Sequence, residues 1–456
     1  MLEIFQVYMQ KTVCQMIWLL VCLTCSKGGI LLGCLLFATH IFYSPSHFSW
    51  TPVPSLHDVS YSYDWSNSYK TGSKKVDYGL WKTLTPPFRV AGSMHSVSPL
   101  VTDTILVVPS GIIESNTTHV RAYAGTRLEE IQKHIAPYTM RGIGSITKQT
   151  LGGAFSTSLS GIETVSFTQF VEEIEYVTPE GTFRTKDLYH LKDSIGMIGI
   201  ITEMTLRIFP NKKVEFYKEF QLPIEEIHRI AEYDVVDSIL DNELHVVTYN
   251  VTDMTNHTMN QPFNVAFFWD VFGLPLLIPS SIRRIFVKAS LKSKQDLRTI
   301  GADPAIYGSM FIDYRIPLEN CSEFLKINTS ANVRVKYLKP RTDACLSYSG
   351  PTCKVELYYT RFEDPVLFDD EAYALGGYPH WGKLTGNVTR FLHRFPCFKD
   401  MPVHEEFLNG YLKGDTFTPW DGSHRVWWTR LWQIVGLGYI VWCIWHCQTR
   451  HDYQKL

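Results

Sequence analysis

The chain has 456 residues and a formal net charge of −2, from 43 Lys and Arg against 45 Asp and Glu. This balance gives no overall basic field, so nucleic acid is not expected as a partner. Charged residues make up 19% and apolar residues 45% of the chain, and ordinary soluble domains carry about 25% charged residues. These proportions exclude a disordered chain, a collagen-like repeat and a small disulfide scaffold.

The N-terminal region, residues 1–45, contains two apolar runs separated by Ser26–Gly29. Neither run reaches the roughly 20 residues that span a bilayer, whereas together they would span it with Lys27 near the middle. The region is therefore predicted to be a membrane anchor, with a cleaved signal peptide or a buried helix as the alternatives. Residues 46–87 are polar and aromatic with little periodicity, and they are interpreted as a linker.

From residue 88 the sequence changes to short β-type runs interrupted by Gly, Pro and Ser. Apolar spacing at Leu128, Ile131 and Ile135 predicts a short amphipathic helix. An alternating run that turns at Pro179–Gly181 predicts a hairpin. A glycine-punctuated apolar run that ends near Pro210 predicts a helix end leading into a buried strand.

The body is too long for a single hydrophobic core, so two packed α+β domains are expected, at 88–210 and 211–420. The last region, 421–456, contains the apolar stretch Leu431–Cys447. Two tryptophans and an arginine precede this stretch, a pattern typical of a single transmembrane helix. A buried core helix is the alternative, and the flanking charges do not fix a membrane orientation.

The predicted compartment rests on glycosylation sequons and cysteines. Roughly two N-x-[ST] triplets would arise by chance, but the body carries six, at Asn116, Asn250, Asn256, Asn320, Asn328 and Asn387. This excess favours a lumenal or extracellular body. The body cysteines are Cys321, Cys345, Cys353 and Cys397, which permit one or two disulfides, with Cys345–Cys353 a plausible short loop. Their spacing is not that of metal ligands, so no metal site is expected.

Two segments are rich in small polar residues. In Arg89–Leu100 a turn brings Gly92, Ser93, His95 and Ser96 together, and such a turn can approach a phosphate or a flat ring closely. The plain alternative is a turn without a ligand.

The second segment, Arg141–Gly161, has five Gly and seven Ser or Thr interleaved with apolar residues. A backbone that wraps an extended anionic ligand needs such a composition, because missing side chains let N–H groups reach the ligand oxygens. The segment has neither the G-x-G-x-x-G pattern nor a Walker A loop. A flexible surface loop is the alternative.

The order of these motifs resembles the flavin-binding oxidoreductases of the vanillyl-alcohol oxidase (PCMH-type) superfamily. Within them the chain is similar to the sugar-lactone oxidases, such as L-gulonolactone and D-arabinono-1,4-lactone oxidases. The matching segments in the first half, within residues 88–210, are Gly92–Ser96, Ala124–Ile131, Gly144–Thr157, Val177–Gly181 and Gly196–Leu206.

In the second half, Phe311–Asn320 resembles a family strand with an acid-x-Arg pair, here Asp313 and Arg315. Gly376–Lys383 reads GGYPHWGK and resembles the family's GGRPHWGK, from which it differs at Tyr378. Residues two apart in a strand share one face, so an acid and a cation would lie together there. With Lys383 they could orient a hydroxyl-rich substrate, accept a proton and stabilise an alkoxide.

The resemblance implies an α+β fold with a two-part FAD-binding domain and a cap domain of antiparallel sheet with flanking helices; the hydrophobic ends would add terminal helices. His95 matches the residue that many members attach covalently to the flavin. The implied catalytic residues are Asp313, Arg315, Lys383 and His380. The implied FAD contacts are Gly92, Ser93, Met94, His95, Ser96, Gly144, Ser145, Thr150, Gly152, Gly153, Ser156, Thr157, Gly161, Gly199 and Ile201.

The implied reaction is hydride transfer from an aldono-1,4-lactone to FAD, with oxygen as acceptor and an ascorbate-type product plus hydrogen peroxide. The implied location is the endoplasmic reticulum membrane or secretory pathway. Met94, Ser160 and Asp313 stand where the family usually has Gly, His and Glu. They motivate one alternative, a degenerate flavoprotein fold that serves as a membrane glycoprotein. The other alternative is a flavin oxidase or dehydrogenase of another alcohol, such as an alditol.

Overall fold

The structure is a computed structural model. It describes residues 74–93, 96, 100, 104–144, 149–161, 163–240, 243–253, 309–327, 332–360 and 367–415. The two hydrophobic ends lie outside these residues, as do Met94, His95 and Ser145, so the predicted anchor and C-terminal helix stay predictions. Among the helices that are described, none has the length and apolar character needed to cross a bilayer.

The first part of the fold contains a parallel three-stranded sheet in the order β1-β3-β2 and an antiparallel five-stranded sheet in the order β4-β5-β9-β7-β8. A two-stranded sheet joins β6 to β10. The strands are β1 Lys74–Asp77, β2 Arg89–Val90, β3 Thr104–Val107, β4 Ile112–Ser115, β5 His119–Tyr123, β6 Tyr138–Thr139, β7 Val171–Thr178, β8 Gly181–Thr185, β9 Ile200–Arg207 and β10 Phe209–Pro210.

Short helices connect these strands. The α-helices are α1 Leu128–His134 and α2 Leu151–Ser156, and the 3-10 helices are Tyr78–Thr83 and Phe167–Phe170. Helix α1, the β7–β8 hairpin and strand β9 confirm three elements predicted from the sequence pattern. The helix end predicted before β9 is wrong, because turns and irregular backbone occupy residues 191–199. The interpretation of residues 46–87 as an irregular linker is wrong for residues 74–83. Strand β1 pairs there with β3, and the 3-10 helix that follows buries Trp81.

The second part is a seven-stranded antiparallel sheet in the order β11-β13-β12-β15-β16-β14-β17. Its strands are β11 Lys212–Leu222, β12 Val236–Leu240, β13 Leu244–Asp253, β14 Ser309–Pro317, β15 Asn332–Leu338, β16 Thr352–Thr360 and β17 Tyr378–Pro379. The other helices are α3 Leu318–Leu325, α4 Asp369–Ala374, α5 Val388–Leu392, α6 Gly410–Lys413, and the 3-10 helices Ile224–Glu232, Pro396–Asp400 and Glu405–Phe407.

The two faces of this sheet differ in chemistry. One face is apolar and packs with α3 and the 3-10 helix Ile224–Glu232 in a second hydrophobic core, to which Tyr314, Val335 and Val355 belong. The opposite face of β14, β16 and β15 carries six buried charged residues in two rows. We call this set the charged grid; its rows are Asp313, Glu356 and Arg334, then Arg315, Lys354 and Lys336.

The C-terminal helices return to the first part of the fold. Val388, Phe391 and Phe407 are buried in the same core as α1 and β9. Phe407 packs edge-on against Phe88, with 5.6 Å between ring centroids. The stretch after β17 therefore closes the core that begins at residue 81, although the hydrophobic pattern alone placed it with residues 211–420.

The disulfides differ from the predicted pairing. Cys321 bonds to Cys353, with 6.2 Å between their Cα atoms, and Cys345 bonds to Cys397, with 5.8 Å. The predicted Cys345–Cys353 loop is wrong because Cys353 lies in β16 on the apolar face of the sheet, where α3 brings Cys321 beside it.

Candidate active site

A cleft-like cavity open to solvent lies where segments from both halves of the chain meet; its empty space, open solvent included, is about 1010 Å³. Its wall is formed by the turn after β2, the N-terminal part of α2, the loop before β9 and the turn after β17. Of the residues predicted to bind FAD or act in catalysis, twelve line it: Gly92, Ser93, Ser96, Thr150, Gly152, Gly153, Ser156, Thr157, Gly199, Ile201, His380 and Lys383.

Glycines let the wall segments approach one another. A Cβ on Gly92 would lie 2.0 Å from Oγ1 of Thr150, the residue that caps α2 by accepting a hydrogen bond from the Gly153 N–H. A Cβ on Gly382 would lie 3.2 Å from Oγ of Ser96 and 3.2 Å from Cβ of Thr157. The turn after β17 thus closes directly onto the two predicted cofactor segments.

The chemistry of the wall fits FAD. No carboxylate stands among the described residues that line the cavity, which suits an anionic diphosphate. Oγ of Ser93 and Oε1 of Gln149 are buried at this wall and have no hydrogen-bond partners among the described residues, so a ligand can supply such contacts. Val108, Ala124 and Ile201 add apolar surface for a flat ring.

Arg89 fixes one side of this wall. Its buried guanidinium donates to the carbonyl oxygens of Leu100, Gly196, Phe407 and Ile195. Because these bonds join β2 to the loop before β9 and to the C-terminal segment, we assign Arg89 a structural role.

The turn after β17 places His380 and Lys383. The His380 N–H donates to the Asp313 carbonyl at 2.7 Å, and the Lys383 N–H donates to the His380 carbonyl at 2.8 Å. Nδ1 of His380 accepts from the Gly382 N–H at 3.1 Å. Burial and the positive charges of Lys354 and Arg315 hold the pKa of His380 well below its usual range. His380 is therefore neutral with its proton on Nε2, which makes it a hydrogen-bond donor there.

Asp313 is the buried acid of the site. Its side chain is 1% exposed, and Oδ2 lies 3.3 Å from Nζ of Lys354. Within the described part of the chain, neither carboxylate oxygen has a hydrogen-bond partner. Burial raises the pKa of Asp313, and the nearby Lys354 opposes that rise. A buried carboxylate with free lone pairs and a raised pKa is suited to accept a proton from a hydroxyl group.

Two lysines and a glutamate surround Asp313 on the charged grid. Glu356 Oε1 lies 2.6 Å from Nζ of Lys354 and 3.0 Å from Nζ of Lys336. Burial acts to raise the pKa of Glu356, but Lys336, Lys354 and Arg334 outweigh it and hold that pKa well below its usual range. Glu356 is thus ionised, and it balances the lysines beside Asp313.

Unlike Asp313, Lys383 lines the cavity, and its side chain is partly exposed there. Desolvation of the Lys383 ammonium group lowers its pKa to about 8, and the nearby Asp313 opposes this effect. The ammonium group is therefore charged at neutral pH but loses its proton at mildly alkaline pH.

Arg315 has a different environment from the predicted one. Its guanidinium donates to Oγ and to the carbonyl oxygen of Ser158, at 2.8 and 2.6 Å, and lies over the Tyr378 ring. It does not line the cavity, and neither does Asp313. Arg315 connects the sheet to the segment that follows α2 through these hydrogen bonds. It therefore supports the cavity wall without contacting the cavity.

Gly144 and Gly161 also lie behind the wall. A Cβ on Gly161 would lie 2.1 Å from the Ile143 carbonyl oxygen, and one on Gly144 would lie 2.5 Å from Cδ1 of Leu159. These glycines allow close packing of the segment with itself. Lys354, Glu356 and Lys336 were missed by sequence reasoning; their only signal was the alternation of charged and apolar residues in β15 and β16.

Comparison with known proteins agrees with this chemistry. Residues 83–186 match the family described as the FAD binding domain. This segment contains β2, α1, α2 and most of the cavity wall. FAD is the cofactor that the match indicates. No curated protein sequence matches the chain.

Solved structures share the wider fold. A solvent-stable cholesterol oxidase is 15% identical with a TM-score of 0.56; the match covers 73% of this chain and 89% of that one. The cholesterol oxidase of Brevibacterium sterolicum is 12% identical with a TM-score of 0.56; the match covers 80% of this chain and 98% of that one. The described residues therefore have the fold of these cholesterol oxidases, with an FAD-binding domain followed by an antiparallel sheet.

The close approach at Gly92 gives a first prediction. Gly92→Ala should weaken FAD binding by about 1–3 kcal/mol, because the new methyl group overlaps Oγ1 of Thr150 and displaces the wall. The ratio of flavin to protein absorbance during dialysis measures this loss. Thr150→Ala is the matched control, and the double variant should retain more FAD than Gly92→Ala alone. Unchanged FAD retention in Gly92→Ala would show that this turn does not form the cofactor wall.

Proposed function

We propose that the protein is an FAD-dependent oxidoreductase that oxidises a CH–OH group of an aldono-1,4-lactone, with molecular oxygen as acceptor. The observation that carries the proposal is the buried carboxylate of Asp313, which lies 3.3 Å from Nζ of Lys354. The backbone carbonyl of Asp313 accepts a hydrogen bond from the N–H of His380, which lines the cavity. Oxidation of a secondary alcohol removes a hydride from carbon and a proton from oxygen. Asp313 lies behind the cavity wall, so in this proposal it is the final proton acceptor, reached by way of Lys383 at the wall. Bound FAD would supply the hydride acceptor.

The neighbouring residues stabilise the charge that forms as the hydroxyl loses its proton. Lys383 and the Nε2–H of His380 lie at the cavity wall, where a cation and a donor stabilise an alkoxide. Lys354 holds a positive charge beside Asp313 and favours the ionised carboxylate. Reoxidation of the bound FAD by oxygen would yield hydrogen peroxide, with oxygen taking up two electrons and two protons.

The polar character of the site favours a hydroxyl-rich substrate over a sterol. Ser93, His380 and Lys383 present a hydroxyl, an imidazole and an ammonium group at the cavity wall, and an apolar ring system would bury these groups without hydrogen-bond partners. The GGYPHWGK turn, which resembles that of sugar-lactone oxidases, supports a lactone with an ascorbate-type product. An alditol has the same hydroxyl chemistry and is the second candidate, and a flavoprotein fold without activity is the third.

Two further parts of the proposal concern residues outside those described. We propose that His95 carries the flavin covalently, since it follows the cavity-lining turn at Gly92 and Ser93. We also propose that the hydrophobic ends hold the protein in the endoplasmic reticulum membrane or elsewhere in the secretory pathway, with the body lumenal. The two disulfides support the lumenal placement.

A pH profile tests the role of Lys383. If its positive charge is required, kcat should fall as pH rises through about 8, where the ammonium group loses its proton. Lys383→Arg should move this alkaline limb upward, because a guanidinium stays protonated there. Lys383→Met should lower kcat across the whole range while FAD stays bound. An alkaline limb that remains near pH 8 in Lys383→Arg would remove Lys383 from the proposed role.

A further inference from the structure

The disulfides support the proposed placement of the described body in an oxidising compartment. All four cysteines within residues 74–415 are paired, as Cys321–Cys353 and Cys345–Cys397. Such bonds persist in the secretory lumen and outside the cell, which is also where asparagine side chains receive N-linked sugars. The six sequons can therefore be examined as acceptors, and four of them fall within the described residues.

Two of these four sequons are engaged in the fold. Nδ2 of Asn320, the atom that a sugar would occupy, donates to the Leu375 carbonyl at 2.9 Å, and the next residue is the disulfide-bonded Cys321. Asn387 caps α5 by accepting from the Arg390 N–H at 3.1 Å. The hydroxyl of its sequon residue, Thr389, donates to the Leu412 carbonyl. A glycan on Nδ2 of Asn320 would disrupt its hydrogen bond to Leu375. At Asn387 the fold instead holds the sequon hydroxyl away from the carboxamide, on the Leu412 carbonyl.

Asn116 differs from Asn320 in the contacts of its amide nitrogen, and from Asn387 in its exposure and in the partner of its sequon hydroxyl. It lies exposed in the loop between β4 and β5. Its Oδ1 accepts from the N–H groups of Thr118 and His119, at 2.8 and 2.9 Å, and from the Thr118 hydroxyl at 2.9 Å. Its Nδ2 makes no hydrogen bond to the described residues. The loop thus presents the amide nitrogen to solvent and holds the sequon hydroxyl against the same carboxamide.

We propose that Asn116 carries an N-linked glycan and that Asn320 and Asn387 do not. In this modification Nδ2 forms a bond to the anomeric carbon of an oligosaccharide, the bond from that carbon to a lipid diphosphate breaks, and one amide proton is released. Asn250 is also exposed, on β13. Because each asparagine is measured separately, the test does not depend on whether Asn250 is glycosylated. The inference rests on the lumenal placement proposed above and not on the lactone substrate.

The test is peptide mass spectrometry of the full chain, expressed in eukaryotic cells and treated with peptide N-glycosidase. That enzyme converts a glycosylated asparagine to aspartate, so Asn116 should be converted while Asn320 and Asn387 remain asparagine. Asn116→Gln and Thr118→Ala should each remove one glycan from the intact protein, and Thr118→Ser should retain it. The controls Asn320→Gln and Asn387→Gln should leave the glycan content unchanged.

An unconverted Asn116, or a converted Asn320 or Asn387, would overturn the inference. Flavin absorbance of the same preparation reports separately on the proposed oxidoreductase. A sample with flavin but no glycan at Asn116 would refute the modification and leave the activity standing. A sample with the glycan but no flavin would refute the proposed oxidoreductase and support the modification.

Discussion

Asp313→Asn is expected to lower kcat by about 10²- to 10⁴-fold, the contribution typical of a positioned general base. Asparagine has nearly the same shape as aspartate but cannot take up the proton of the substrate hydroxyl. Because Asp313 does not line the cavity, FAD content should stay that of the unaltered protein. Steady-state turnover together with the flavin-to-protein absorbance ratio measures both quantities.

Asp369→Asn is the matched control for this substitution. Asp369 is a carboxylate packed against the other face of the same sheet, where it accepts hydrogen bonds from Tyr314 and Thr385, at 2.7 and 2.9 Å. Its loss of charge should leave kcat close to that of the unaltered enzyme. A kcat for Asp313→Asn within a few-fold of the unaltered enzyme would exclude Asp313 as the base.

Arg341→Met is expected to have the largest effect on stability, about 3–5 kcal/mol in the free energy of unfolding. Arg341 is 4% exposed and lies 2.9 Å from Oδ2 of Asp193, which is fully buried. It also donates to Thr168 and Ser158, so it joins the segment after β15 to the FAD-binding part. Without the guanidinium, Asp193 would be left as an uncompensated buried charge. Equilibrium unfolding in urea measures the change.

Two variants test that explanation. Arg341→Met combined with Asp193→Asn should recover on the order of 1–2 kcal/mol, because the double variant removes the buried negative charge as well. Arg390→Met breaks the surface pair with Asp370, whose side chain is 85% exposed, and should change stability by less than about 1 kcal/mol. Equal destabilisation by Arg341→Met and Arg390→Met would contradict the account.

The sequence predicted the parts of the site that depend on local chain chemistry. Gly92 and Thr150 belong to segments whose small residues set them apart from any ordinary core strand, and both line the cavity. Asp313 and Lys383 were predicted from their resemblance to family motifs, and their catalytic roles stay predictions. The hairpin and α1 followed from periodicity, which depends on neighbours only a few residues away.

Other features depend on contacts that periodicity does not specify. Lys354 and Glu356 alternate with Val355 and Leu357, the pattern of a strand with one face in water, yet both charged residues are buried. Whether the polar face of a strand meets solvent or another part of the fold is decided by tertiary packing. The Cys321–Cys353 bond was missed for the same reason, since it depends on where α3 packs on the sheet.

Anaerobic mixing of the purified flavoprotein with an aldono-1,4-lactone tests the central claim most directly. The account predicts loss of the oxidised-flavin absorbance on mixing, its return when oxygen is admitted, and hydrogen peroxide in equal amount to the lactone consumed. Flavin that stays oxidised with lactones but is reduced by an alditol or a sterol would contradict the lactone assignment. Folded protein that binds no flavin would contradict the oxidoreductase itself.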